Sequence, residues 1–333
     1  MKAYPIKFNP ILKNKVWGGE KLSKVLNKKT MAKNVGESWE ISGVEGNISE
    51  VSNGIYEGRT LNDLISEYKG DFLGKKVVHT YGEQFPLLIK FLDAKTNLSV
   101  QVHPDDDMAK TQHNSFGKTE MWYIMESDDD AEIVLGLKNS NTDTAVLNHI
   151  NANNVNEIFN KEKVKKGDSY FIPAGKIHAI GAGVLAAEIQ QTSDITYRVY
   201  DWDRADDNGS KRELHTELAQ RATKVFQSNG KSDYCLNAST TSNLVDCDFF
   251  TTNIFKVKGI NQRRYKNADS FKIFMCVEGN GTIEVDGSVE AIGMGETVLT
   301  PASAKSIRFI GEDAKFLEVY IRTDECSTIK WVS

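Results

Sequence analysis

Apolar residues along this chain fall in short runs, broken repeatedly by Gly, Asn and Asp. Runs of that kind, with turn residues at their ends, predict strands, and a long succession of them predicts a β-sandwich or barrel. Leu87–Leu92, Met121–Met125 and Ser169–Ile172 are examples. Helical spacing occurs in few places. Thr60 followed by Asp63, with Leu61, Leu64, Ile65 and Tyr68 along one face, predicts a capped helix to about residue 68. A second helix is expected to begin near Pro104, with Asp105, Asp106 and Asp107 at the positive end of its dipole; the acidic run reads as a solvated helix start, not a calcium site. A third is expected from about Arg212 to Val225, with Leu214, Leu218, Ala222 and Val225 at helical spacing, and looks like a connection between two domains.

The chain also repeats itself. Gly167, five residues and Pro173-Ala174 recur as Gly295, five residues and Pro301-Ala302. The first copy continues to His178, where the second has Ser306. Glu278–Gly287, ahead of the second copy, is a strand–turn–strand signal. The expected architecture is mainly β: two jelly-roll barrels with a few short helices, residues 1–227 keeping a histidine that residues 228–333 have lost.

Composition changes this picture little. A chain of 333 residues has room for roughly two domains. Its 26% charged and 40% hydrophobic residues are ordinary for a globular protein, and a net charge of -5 gives no sign of a nucleic-acid partner. No apolar run has the length of a signal peptide or a membrane span, so a cytoplasmic protein without a membrane partner is expected. Cys235, Cys247, Cys276 and Cys326 show no Cys-x-x-Cys spacing and are read as free thiols. Monomer and homodimer both stay open.

The candidate chemistry lies in a few residues. Gly167, five residues, Pro173, Gly175 and His178 look like the second half of the cupin signature, in which the histidine enters the barrel mouth. Upstream, Gln101 and His103 are two apart and so face one side of a strand. Glu120 follows seventeen positions after His103, a gap explained if the Pro104 helix is an insertion and Glu120 opens the next strand. Two neutral imidazoles and a carboxylate suit a divalent ion, most often zinc, with a position left open for water or substrate. The Gln101 amide is an uncommon fourth ligand. A lone strand histidine is usually structural; it is the three residues together, in signature positions, that point to a metal. His79, His113, His149 and His215 match no such pattern and are read as surface or loop residues.

With those residues the chain resembles the type I mannose-6-phosphate isomerases in their small bacterial form, a family of the cupin superfamily. The resemblance rests on blocks in order along nearly the whole chain: Val16–Gly19, Gly36–Glu40, Ser99–Asp106, Gly117–Glu120 and Glu188–Arg198. It implies a zinc-dependent interconversion of mannose 6-phosphate and fructose 6-phosphate, with Gln101, His103, Glu120 and His178 on one zinc ion per chain and Arg198 as the active-site arginine. Lys118, Glu188, Lys90 and Glu37 match pocket residues of the family. Where larger relatives carry a tyrosine after the last metal histidine, this chain has Ala179-Ile180-Gly181, and their large helical insertion is missing.

Aldose–ketose isomerisation moves a proton between adjacent carbons through an enediol, and needs an electrophile at the oxygen and a base at the carbons. Glu188 follows the apolar Val184–Ala187, where burial raises a carboxylate's affinity for protons, and is a candidate base. Arg198 suits an enediolate oxygen or a phosphate, or an ion pair with Asp194 or Asp201. Lys118 reaches substrate or is a solvated lysine. No glycine-rich loop leads into a helix, so a phosphate is expected to be held by side chains. Two other readings share the scaffold: an iron dioxygenase of the cupin type, for which Lys118, Glu188 and Arg198 are superfluous, and a non-catalytic sugar-binding protein of two cupins, with Trp17, Trp39 and Trp122 as stacking surfaces rather than core.

Overall fold

The computed structural model describes residues 1–138, 144–205, 209–237, 240–263, 265 and 269–323; Cys326 lies outside the described residues. The chain is mainly β and forms two compact units: Pro10–Glu40 with Leu87–Ser232, and Met1–Asn9 with Ile41–Pro86 and Asp233–Ser333. The expected barrels are present as jelly-roll sheets that do not close on themselves.

One sheet of six strands runs in the order Ile11–Gly19, Val35–Ser42, Leu87–Ala94, Val184–Gln191, Glu120–Glu126, Ser169–Ile172. A second, of five, runs Tyr197–Tyr200, Val100–Val102, His178–Ile180, Glu132–Leu137, Phe159–Lys163. Trp122, Ile124 and Ala186 of the first meet Ile133, Leu135 and Ile180 of the second in one buried core. The five-stranded sheet buries its other face too: Val100, Val102, Val134, Ala179, Tyr197 and Val199 pack with Ala219 and Ala222 of the helix Thr216–Ala222.

In the other unit the strands Thr241–Asp246, Thr251–Arg263, Ile307–Tyr320, Lys272–Glu278 and Thr297–Thr300 form a sheet around Phe255, Phe274, Phe309 and Phe316. The strand–turn–strand signal at Glu278–Gly287 is the start of a hairpin, Asn280–Val285 with Ser288–Gly293, turning through Asp286 and Gly287, both at positive φ.

The helix expected after Thr60 runs Leu61–Leu73, closed by a reciprocal cap: the Thr60 hydroxyl accepts from the Asp63 N–H at 3.1 Å and the Asp63 carboxylate from the Thr60 N–H at 3.0 Å. It is broken at Lys69, where φ is 43°. The helix expected over Arg212–Val225 is shorter, Thr216–Ala222, and lies within the first unit. Its ends are drawn away by other bonds: Arg212 to Asp201, and the Lys224 N–H to the Gly175 carbonyl. Cys235, Cys247 and Cys276 are free. No helix among the described residues is long and apolar enough to cross a membrane.

Candidate metal centre

The strand alternation aims the ligands. Val100 and Val102 point into the cluster beneath the helix Thr216–Ala222, so Gln101 faces the interior between the two sheets. Gln101 stands opposite both Arg198 and His178, and the three form one row across the five-stranded sheet. On the facing sheet Glu120 opens its strand, opposite Gln190 and Ile172. The next row on that face is Lys90, Glu188 and Trp122.

Two connections set the depth of these residues. The chain leaves His103 into the helix Asp106–His113, whose Asp105 side chain accepts from the Met108 N–H at 3.0 Å. Gly117 closes the excursion: its N–H donates to Asp106 Oδ1 at 2.7 Å, and a Cβ there would lie 2.6 Å from the Asp105 carbonyl carbon. Glycine is therefore required, and Lys118-Thr119-Glu120 is delivered back beside His103. The acidic run is thus more than a solvated helix start, since Asp106 also accepts from Gln191 Nε2 at 3.0 Å. The second connection is the turn Pro173–Lys176. Gly175 has φ +90°, and a Cβ would meet the Lys224 side chain at 2.8 Å and the Ala222 carbonyl at 2.9 Å.

His103, Glu120 and His178 are all buried, with one ligand atom from each lying within 4.8 Å of the others. His178 Nδ1 faces the Lys176 carbonyl at 2.8 Å, and His103 Nδ1 faces the Ile195 carbonyl at 2.9 Å. Only an N–H satisfies a carbonyl, so both Nε2 atoms carry lone pairs. Those two lone pairs face each other at 3.1 Å. Glu120 Oε1 lies 3.3 Å from His178 Nε2 and has no hydrogen-bond donor among the described residues. Acceptors brought this close together, out of water, need positive charge between or beside them. The donor set of two imidazoles and a carboxylate fits a divalent metal. The Lys118 ammonium supplies positive charge from one side, donating to His103 Nε2 at 2.9 Å and Glu120 Oε2 at 2.7 Å. Lys118 is buried, and so is not a solvated lysine.

Electrostatics hold the cluster in its ligand form. Burial, reinforced by the charge of Lys118, pushes the His103 imidazole down to about 3, and burial lowers His178 as well. Burial alone would raise Glu120, but Lys118 and the two imidazoles outweigh it and hold the carboxyl well below the usual range. The Gln101 amide nitrogen is 3.4 Å from His178 Nε2. Turning the amide over puts its oxygen there instead, as a fourth donor.

Beside the cluster, Glu188 is buried but paired, and so differs from the lone carboxylate in an apolar stretch expected of it. Oε1 accepts from Lys90 Nζ at 2.9 Å and Oε2 from Trp122 Nε1 at 3.0 Å. Lys90 also donates to Gln190 Oε1 at 2.6 Å and lies 5.3 Å from the Trp39 ring centroid. Burial weighs against its charge, but Glu188 and Glu37 outweigh it and raise Lys90 above its usual value. Trp17, Trp39 and Trp122 are all buried, so none is a free stacking surface. Lys90→Met leaves the Glu188 carboxylate in the interior without its cation. Urea unfolding should show a loss of about 3–5 kcal/mol, as for a broken buried pair. A loss under about 1 kcal/mol would be that of a surface pair and would contradict the burial described.

Arg198 makes no ion pair among the described residues. Asp201, its expected alternative partner, is occupied by Arg204 and Arg212, each at 2.5 Å. Arg198 Nη1 donates to the Glu213 carbonyl at 2.8 Å, and its buried Nε has no partner. Burial and neighbouring Arg212 lower its pKa. Two neighbours of the site have no role assigned from the sequence. His215, assigned to the surface by its sequence context, accepts the Arg198 N–H on Nδ1 at 3.1 Å. Gln190 stands opposite Glu120; it lies within the block Glu188–Arg198, and the period of two from Glu188 puts it on the same face.

Comparison with known proteins identifies the family. Residues 6–146 match the family model described as phosphomannose isomerase type I, catalytic domain, and residues 240–321 the one described as mannose-6-phosphate isomerase, cupin domain. A mannose-6-phosphate isomerase of Streptococcus mutans is 34% identical over 93% of this chain and 96% of its own. The chain belongs to the type I mannose-6-phosphate isomerases. Another member of this isomerase family, from Bacillus subtilis, is 34% identical over 90% of this chain and 94% of its own length. The crystal structure of the mannose 6-phosphate isomerase from Bacillus subtilis superposes with a TM-score of 0.84 at 33% identity, covering 95% of this chain and 99% of that one. A variant of phosphomannose isomerase from Salmonella typhimurium, 15% identical with a TM-score of 0.75, shares the isomerase fold over 96% of this chain and 100% of its own.

Proposed function

We propose that this protein is a zinc-dependent aldose–ketose isomerase that interconverts mannose 6-phosphate and fructose 6-phosphate through an enediol, in the cytoplasm. The observation that carries the reading is the convergence of two Nε2 lone pairs and an undonated carboxylate oxygen at one buried point, in a chain of this family. His103, Glu120 and His178 hold the metal, with Gln101 as the fourth donor. A divalent ion there supplies a Lewis acid that polarises a sugar oxygen.

The chain's own residues do the rest. Glu188 is the base that takes a proton from the sugar carbon and returns it to the neighbouring carbon; Lys90 and Trp122 fix the direction of its carboxylate. Lys118 sits two residues before Glu120, its ammonium in the site, and stabilises charge developing on a substrate oxygen. Arg198 offers its guanidinium to the enediolate or the phosphate.

One metal per chain is part of the proposal. Glu120 pairs with Ile172, the residue before Pro173; in the other unit Lys272 pairs with Thr300, the residue before Pro301. The repeat therefore puts a lysine where the carboxylate ligand stands and Ser306 where His178 stands. An ammonium at that position repels a cation, which supports reading residues 228–333 as a cupin without a metal and residues 1–227 as the part that carries it.

A coupled assay for fructose 6-phosphate formed from mannose 6-phosphate tests this. Turnover should vanish on chelation and return with about one zinc per chain, as for a site of three protein ligands and an open position. A folded, zinc-loaded sample without turnover would overturn the reaction. Restored turnover only with iron would overturn the metal.

A further inference from the structure

The turn Pro173–Lys176 touches every segment that brings a ligand. The Gly175 N–H donates to the His103 carbonyl at 2.9 Å. The Ala174 N–H donates at 3.2 Å to Thr119 Oγ1, next to Glu120. The Lys176 carbonyl accepts from His178 Nδ1 at 2.8 Å. Moving this turn would shift both imidazoles and the approach to the carboxylate together.

The turn is in turn held from outside the site. The Lys224 N–H donates to the Gly175 carbonyl at 2.8 Å. The Lys176 side chain is buried, and its ammonium donates to the Ser228 carbonyl at 2.9 Å and the Asn229 carbonyl at 2.6 Å. The same segment is fixed to the sheet by the Phe171 N–H donating to the Gly230 carbonyl at 2.8 Å. Gly230 has φ +84°, and a Cβ would lie 2.2 Å from the Phe171 carbonyl oxygen.

We propose that Lys176 is a positioning residue for the metal centre: its ammonium latches the ligand-bearing turn to the strap 224–230, and through that turn sets the orientation of His178 and His103. Its neighbour His178 touches the ion; Lys176 acts only through its main chain and its anchor. Nothing in the cupin signature requires a lysine at this place. An apolar residue would fill the volume but take the donor away from the Ser228 and Asn229 carbonyls and leave the turn free to shift. The inference rests on the metal reading above.

The test is zinc affinity of the full chain, by competition with a fluorescent chelator, for the wild type, Lys176→Met, Lys176→Arg and Gly230→Ala, with circular dichroism as the check of folding. Lys176→Met should stay folded and lose about 10–100-fold in zinc affinity, the usual cost of an outer-sphere partner. Lys176→Arg, which can still donate to both carbonyls, should recover most of that loss. Gly230→Ala, which dislodges the strap remote from the ion, should weaken zinc binding in the same direction. A folded Lys176→Met chain with wild-type zinc affinity overturns the latch. If Lys176→Met does not fold, Gly230→Ala decides: weakened affinity supports the latch and undiminished affinity overturns it. A wild-type chain that takes up no zinc overturns the metal centre and the latch together, whereas wild-type uptake with undiminished variants overturns the latch alone.

Discussion

His178→Ala is expected to lose metal and turnover together, with activity down by at least about 10³-fold. The expectation follows from what the imidazole does in the site. His178 Nε2 is the atom nearest both other donors, 3.1 Å from His103 Nε2 and 3.3 Å from Glu120 Oε1. Without it, a three-residue donor set falls to one imidazole and one carboxylate, short of what a catalytic site needs to hold zinc. Several kcal/mol of charge stabilisation at the sugar oxygen go with the ion, and each 1.36 kcal/mol is about tenfold in rate. The fold should survive, because the strand His178–Ile180 keeps its pairing with Val100–Val102 and Glu132–Leu137. Metal analysis of the purified variant is the decisive reading. Full metal content in folded His178→Ala would remove it from the ligand set, whatever its activity.

Part of this centre is legible in the sequence because a backbone constraint writes it there. Gly175 must be glycine at φ +90° against Lys224 and Ala222, and Gly117 must be glycine against Asp105, so each ligand sits at a fixed offset from a residue that cannot vary freely. The period of two does the same for Gln101 and His103. What sequence cannot supply is register. Glu188 follows four apolar residues and reads as an isolated base, yet the pairing Glu188↔Lys90 and Glu188↔Trp122 gives it an ammonium and an indole. Those partners lie 98 and 66 positions away along the chain, and only strand order brings them together. The same holds for Lys118, whose burial comes from the facing sheet. The third helix fails for a related reason: the apolar spacing over Arg212–Val225 is real, but Arg212 is claimed by Asp201 and Lys224 by Gly175, and Leu214 and Val225 are left exposed. Tertiary bonds at both ends override the helical period.

Arg198→Ala should do the opposite of His178→Ala: keep its metal and lose turnover, by about 10²–10³-fold, the usual cost of removing one preorganised donor to developing negative charge. Structure gives the reason to separate the two. Arg198 stands in the same row as Gln101 and His178 but contributes no atom to the ligand cluster. Its role in the fold is small, since among the described residues its side chain has one hydrogen bond, to the Glu213 carbonyl, and a buried Nε with no partner. An unsatisfied buried N–H costs about 1–3 kcal/mol, so its removal should leave stability unchanged or improved. A half-buried guanidinium without an ion pair among the described residues, its buried Nε left without a partner, is what a site retains for an anionic ligand. Lysine has neither the fork nor the reach for two parallel bonds, so Arg198→Lys should recover little of the rate. Zinc content, unfolding midpoint and kcat for the two variants separate the possibilities. Wild-type turnover in Arg198→Ala would take the residue out of the mechanism. Loss of zinc in that variant would mean that Arg198 supports the ligand row rather than the substrate.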